Sequence, residues 1–210
     1  MPAIDHLVYA SPDLDDGVQR IERLTGARAV AGGVHDGLGT HNALLGFDSA
    51  TYFEIIGIDP DQPEPEWGRP FGLVADAAPQ LVAYAAHPVD RESLEDVVAT
   101  MAGLGFDPGD VVSMSRRTPE GQELNWRLTL PGDPASSGDG ALPFVIDWGR
   151  TPSPAASLPS MGSLDSLRVQ HPDDRVRRAV GSLGLGVDAV DGPVGLSAVV
   201  RTPAGRVEIG

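Results

Sequence analysis

The stretch that decides the fold is residues 40–57, THNALLGFDSATYFEIIG. Two apolar runs, residues 43–47 and 52–56, flank Asp48-Ser49-Ala50-Thr51. Short branched and aromatic runs around an Asp/Ser turn predict a β-hairpin. The two-residue alternation of a strand then assigns the faces. Glu54 shares a face with Tyr52 and Ile56, and His41 shares one with Ala43 and Leu45. Each strand therefore sets an ionisable group in an apolar row. A buried carboxylate without a partner is costly, so Glu54 should face one.

Working outward, residues 4–10, IDHLVYA, read as a strand with Ile4, His6, Val8 and Ala10 on one face. His6 is the polar member of that face. Ser11 is expected to cap the next helix, with Pro12 at its first position. Leu14, Val18, Ile21 and Leu24 form its stripe, and Gly26 suits a left-handed stop. A short strand at residues 28–31 and a glycine-rich loop at 32–39 lead into the hairpin, which gives βαβββ. Pro60, Pro63, Pro65, Pro70 and Pro79 then exclude regular structure and predict a connection over the surface.

The unit recurs. Residues 81–87 form a strand, Asp90 can cap a helix with the stripe Leu94, Val97, Val98 and Met101, and Gly105 closes it. Strands follow at 110–116, 124–130 and 142–148, separated by Pro119-Glu120-Gly121 and the low-complexity loop 131–140. Beyond a linker at 151–162, rich in Pro, Ser and Ala, a third pass begins. It has a strand at 164–170, a helix opened by Pro172 and ended by Gly184, and strands at 187–190, 196–201 and 206–209. The helix-ending glycines 26, 105 and 184 are evenly spaced, as an internal repeat requires. The expected class is α+β. Residues 1–150 hold paired βαβββ units, and 163–210 form a third, βαβββ-like unit packed on them.

Composition narrows the chemistry. A formal charge of -15 repels nucleic acid and anionic membranes. The dense basic group Arg175, Arg177 and Arg178 sits beside Asp173 and Asp174, as on an ion-paired helix face. No apolar run approaches the roughly 20 residues of a membrane span, and no secretory signal is visible, so a cytoplasmic location is expected. There is no cysteine, and all 15 basic residues are arginine. Thiol nucleophiles, thiolate metal sites, Schiff-base lysines and P-loop lysines are thereby excluded.

The motifs IDHLVYASPDLDDGV, GLGTHNALLGF, TYFEIIG, LNWRLTLP and LPFVIDWG resemble the vicinal oxygen chelate superfamily, and within it glyoxalase-like domain proteins. The resemblance implies that two units pair into a curved mixed sheet or open barrel of the glyoxalase/bleomycin-resistance type. Its concave face would hold a divalent metal or a ligand. First-strand His and fourth-strand Glu are the usual ligands, which gives His6 and Glu54 here. Such a donor pair suits Zn, Mn, Fe, Ni or Co. The corresponding strand positions in the second and third units are Val82 and Ser166, and their terminal strands offer Asp147 and Glu208. Glu208 is thus a further candidate metal ligand.

The implied function is a small-molecule enzyme of lyase, isomerase or dioxygenase type, using the metal to bind substrate oxygens. Glu54 or His41 would move the proton. The alternative is a metal-free protein that sequesters a ligand, as bleomycin-resistance proteins do. A small molecule is the expected partner, and the third unit could cover a sheet edge or form a homodimer. His41 and Asn42 either bind substrate or cap the loop before them. Trp126 is core or pocket wall, and Arg127 points to the opposite face or clamps a carboxylate. Asp147 is a ligand, a general base or a structural bond to a loop. His35 is expected to be exposed. Gly37-Leu38-Gly39 leads into a strand, which excludes a dinucleotide loop.

Overall fold

A computed structural model of the chain describes residues 1–47, 51–117, 121, 123–130 and 137–210. The tip of the 40–57 hairpin, Pro119-Glu120 and the first part of the 131–140 loop lie outside the described residues. Strand β1 (Ala3–Ala10) is followed by helix α1 (Leu14–Thr25) and strands β2 (Val30–His35), β3 (Thr40–Gly46) and β4 (Tyr52–Ile58). The second unit has β5 (Gln80–His87), α2 (Leu94–Gly103), β6 (Asp110–Arg117), β7 (Glu123–Leu130) and β8 (Phe144–Asp147). The third has β9 (Ser163–Gln170), α3 (Asp174–Ser182), β10 (Asp188–Val190), β11 (Gly195–Thr202) and β12 (Gly205–Ile209).

The caps differ from the expected ones by a few residues. Asp13, not Ser11, caps α1 by accepting from the Asp16 N–H, and Ser11 Oγ donates to the Asp13 carbonyl. Ser93, not Asp90, opens α2 in a reciprocal capping box with Asp96. Both helices stop where foreseen, with Gly26 and Gly105 at φ of 78° and 86°. Strand β2 runs through Gly32 and Gly33 to His35, where a loop was expected, because a bulge between Ala31 and Gly33 keeps it paired with β3.

Eight strands form one sheet in the order β2-β3-β4-β1-β5-β8-β7-β6. Within each of the first two units the first strand lies parallel to the last, and β1 joins β5 antiparallel at the centre. The sheet curls until its ends, β2 and β6, approach one another. The third unit keeps the order of elements but not the pairing. Its β9 lies parallel to the second strand, β10, in a separate sheet of order β10-β9-β11-β12.

Alternation along the strands separates two apolar layers. Leu7, Tyr9, Ala43, Leu45, Phe53 and Ile55 point to the convex side, where they share one core with α1, α2 and the second sheet. Val8, Ile56, Ala83, Ala85, Phe144 and Ile146 point to the concave side. Residues 59–79 cross that side as a strap without strands, tied to the β2–β3 turn. Gln62 accepts from the Gly37 N–H and donates to the His35 carbonyl, and Arg69 Nε donates to the Gly39 carbonyl. Proline explains the lack of strand, and these bonds explain why the strap lies in place.

Candidate functional site

The concave face and the strap enclose a cleft of about 700 Å³, within the roughly 300–1,000 Å³ range of small-molecule sites. The first unit sets His6, His35, Asn42 and Glu54 on it, and Glu64 and Arg69 of the strap and Thr129, Ser137 and Asp139 of the second unit complete its polar lining. Strand β4 presents Tyr52, Glu54 and Ile56 to it, as the alternation requires, and Glu54 is only 8% exposed. On β3 the facing residue is Asn42, whose Nδ2 donates to Glu54 Oε1 at 2.6 Å. The same amide nitrogen lies 3.2 Å from His35 Nε2. Donation to that atom leaves the His35 proton on Nδ1, which faces Thr40 Oγ1 at 3.0 Å.

Glu54 Oε2 is turned instead toward His6 Nε2 at 3.5 Å, too long for a hydrogen bond. His6 is almost fully buried, stacked on the Tyr52 ring at 4.4 Å between centroids and met edge-on by Phe144 at 5.3 Å. Its Nδ1 donates to Asp5 Oδ1 at 2.7 Å. Residues adjacent in a regular strand face opposite sides and cannot meet in this way. A register shift between Ile4 and His6 makes the contact possible, and it also turns Ile4 away to pack on the convex core.

Asp5 is 1% exposed and surrounded by donors. Trp148 Nε1 donates to its Oδ2 at 3.2 Å, and His87 Nδ1 stands 3.2 Å from the same oxygen, near enough for its charge to act though not aligned as a hydrogen bond. Burial pushes the Asp5 carboxyl up, and the contacts with His6 and His87 outweigh it, so the group is held below the ordinary carboxylate value. Asp5 is therefore a buried anion that fixes the His6 ring and leaves Nε2 facing Glu54.

The other expected site residues are distributed as follows. Trp126 lines the cleft. Arg127, next along β7, points to the convex side and pairs with Glu95 of α2, so it cannot clamp a ligand in the cleft. Asp147 lies opposite Arg127 in the β7–β8 ladder and accepts from the Gly149 N–H, which is the loop bond foreseen as an alternative. His41 faces away from Glu54, and its charge helps to keep the Asp59 carboxyl low, after the larger effect of the Gln62 hydrogen bond. Glu208 is an exposed residue of β12, in the other sheet, and does not line the cleft. His35 lines the cleft instead of being exposed, because β2 extends through the glycines. Asp5 and the strap residues carried no periodic signal, whereas Trp148 continues the alternation of Phe144 and Ile146 in the expected 142–148 strand. The adjacency of Asp5 and His6 in IDHLVYA was the available clue.

The donor set bears on the metal. His6 Nε2 and Glu54 Oε2 converge, but the facing positions of the second unit are Ala83, Ala85, Phe144 and Ile146, which offer no donor atoms. Among the described residues no group of three or more His, Cys, Asp or Glu side chains is disposed to hold an ion. The residues present do not fit a resident divalent metal.

The family model for the glyoxalase-like domain matches residues 4–183, across both units of the large sheet and into the third. No curated protein matches the sequence. Among solved structures, a hypothetical protein from Staphylococcus aureus is similar with a TM-score of 0.60 and 17% identity, covering 92% of this chain and 88% of that one. Methylmalonyl-CoA epimerase from Mycobacterium tuberculosis gives 0.40 and 17%, over 69% of this chain and 85% of the other. A methylmalonyl-CoA epimerase in complex with methylmalonyl-CoA and NH4+ gives 0.44 and 19%, over 73% and 99%. At such identities the first likeness is one of fold, and it agrees with the paired units and curled sheet. The chain belongs to the glyoxalase-like domain family of the vicinal oxygen chelate superfamily.

Proposed function

We propose that the protein is an enzyme that moves a proton on a small carbonyl compound held in the cleft, with Glu54 as base and His6 as its acid partner. The observation that carries this reading is the convergence of Glu54 Oε2 and His6 Nε2, 3.5 Å apart, in a mainly apolar cleft. The Asn42 amide occupies Oε1 and leaves the lone pairs of Oε2 to accept a proton from carbon. His6 Nε2–H would donate to the carbonyl oxygen as charge develops there. Asp5 stabilises the imidazolium that this requires. Apolar walls strengthen each of these interactions relative to water. The proton returned from Glu54 to the same or the neighbouring carbon completes an isomerisation or epimerisation, and loss of a leaving group completes an elimination.

Exchange of the α-protons of 2-tetralone in D2O, followed by proton NMR, tests this reading. The wild-type protein is expected to accelerate exchange and Glu54→Gln to lose at least about 100-fold, the usual contribution of a positioned general base. Equal rates in the two proteins would overturn it, as would no acceleration with 2-tetralone, phenylacetone and hydroxyacetone alike.

A second reading, sequestration of a ligand without turnover, is favoured by the apolar residues Ala83, Phe144 and Ile146 that the second unit adds to the cleft. It predicts tight binding of a ligand whose protons do not exchange.

A further inference from the structure

We infer that the occupant of the cleft is an uncharged, planar and mainly apolar molecule of bicyclic size, with one oxygen-bearing end at Glu54 and His6. The polar end rests on the proton-transfer reading, and the remainder rests on three independent observations.

The first is the asymmetry of the two units. Where the first sets His6, Asn42 and Glu54 on the concave face, the second sets Ala83, Ala85 and Phe144. Ala83 leaves space over β5, where Ala85 is wholly covered, and Phe144 on β8 and Trp126 on β7 rise beside it. A flat apolar body covers such a surface without leaving any of its own polar groups unpaired.

The second is charge. Arg69 is the arginine among the described residues lining the cleft, and its Nη1 is paired with Glu64 at 2.5 Å while its Nε donates to the Gly39 carbonyl. The chain has no lysine, and the other charged lining groups are already met inside the protein: His6 by Asp5, Glu54 by Asn42 and His6, Glu64 by Arg69, and Asp139 by His171. A carboxylate or phosphate entering the cleft would lose its water and find no free guanidinium fork to replace it.

The third is the placement of aromatic surface. All 3 tryptophans of the chain line the cleft. On the strap, Trp67 is 63% exposed and Phe71 is 40% exposed. Phe71 holds a left-handed backbone, φ 59°, that a bulky residue rarely adopts, and its ring lies 5.9 Å from that of Phe144. Backbone strain that holds an exposed aromatic ring over a cleft is a cost that a bound planar ring would offset by stacking.

Isothermal titration calorimetry at neutral pH with 2-naphthol, 2-naphthoate and 2-naphthylmethylammonium tests the inference. It predicts that 2-naphthol binds at least tenfold more tightly than either charged probe, and that Ala83→Phe, at the lining position of β5, removes this binding. Because Ala83→Phe could disturb the sheet, Phe71→Gly on the strap serves as a second variant, with an expected weakening of at least fivefold. Naphthoate or the ammonium binding as tightly as the naphthol would overturn the inference. So would a lack of binding by all three, or unchanged affinity in Phe71→Gly. Calorimetry needs no turnover, so its failure alongside α-proton exchange would remove the substrate class and leave the proton-transfer reading. Selective naphthol binding without exchange would do the reverse.

Discussion

Asp5 and His6 are neighbours in the chain whose side chains meet, Oδ1 to Nδ1, at 2.7 Å inside the protein. The bulge in β1 that permits this places a carboxylate behind the ring, and Trp148 and His87 approach its other oxygen. Replacing Asp5 with Asn would set an amide NH2 against the Trp148 N–H or the His6 N–H, donor against donor. We expect Asp5→Asn to cost about 1–3 kcal/mol of stability, the range for a buried polar group left unsatisfied, measurable by urea unfolding. The Asp5 carboxyl lies below its ordinary 3.8 in the folded state. Its stabilising contribution is therefore complete above the ordinary carboxyl range and is lost as pH falls through the lowered folded value. The variant should show a shallower loss of stability on acidification than the wild type, and an identical acid limb would show that Asp5 contributes nothing to it.

Gly32 occupies the bulge of β2 beside Asn42. A Cβ there would stand 2.1 Å from Asn42 Oδ1, so Gly32→Ala must displace the amide that holds Glu54. We expect a loss of α-proton exchange of at least tenfold together with destabilisation of about 1–3 kcal/mol, as overpacking typically gives. A variant with full exchange activity would show that Asn42 does not orient the base.

Helix α1 begins against β4 at Gly57, where an added Cβ would lie 2.9 Å from the Leu14 backbone. Backbone cannot yield as a flexible side chain can, and Gly57→Ala should cost about 1–3 kcal/mol. Gly103, at the end of α2, has nothing within 4 Å of the same construction, and Gly103→Ala should add up to about 1 kcal/mol. Thermal unfolding of the two variants should move in opposite directions.

Phe71 combines a left-handed backbone with a ring that is only partly buried, 40% of the residue being exposed. Glycine relieves a left-handed conformation worth roughly 1–2 kcal/mol, which offsets the loss of a partly buried ring. Phe71→Gly should therefore be as stable as the wild type or more so by thermal unfolding. A clear loss of stability would show that the ring contributes more to packing against Phe144 than to a ligand.

Much of this arrangement was legible in the sequence. The alternation in residues 40–57 gave the faces of Glu54, Tyr52 and Ile56, and the evenly spaced glycines gave the repeat, because both follow from local geometry. What was not legible depended on departures from that geometry. A bulge brings Asp5 to His6, and another carries β2 through glycines that read as a loop, which brings His35 to the cleft. The strap has no period to read, and it reaches the cleft by long-range bonds from Gln62 and Arg69. In the third unit the order of elements was visible, whereas the pairing of β9 with β10 and β11 was not, because the period of a strand does not name its neighbour.

The central claim is that Glu54 and His6 act as one proton-transfer pair, and a double-mutant cycle on α-proton exchange tests it most directly. Groups that act as a unit are strongly non-additive, so removal of either removes most of what both supply. Exchange of 2-tetralone should fall at least about 100-fold in Glu54→Gln and comparably in His6→Gln, with the double variant no slower than the slower single one. Losses that multiply, or a His6→Gln protein as active as the wild type, would contradict the account.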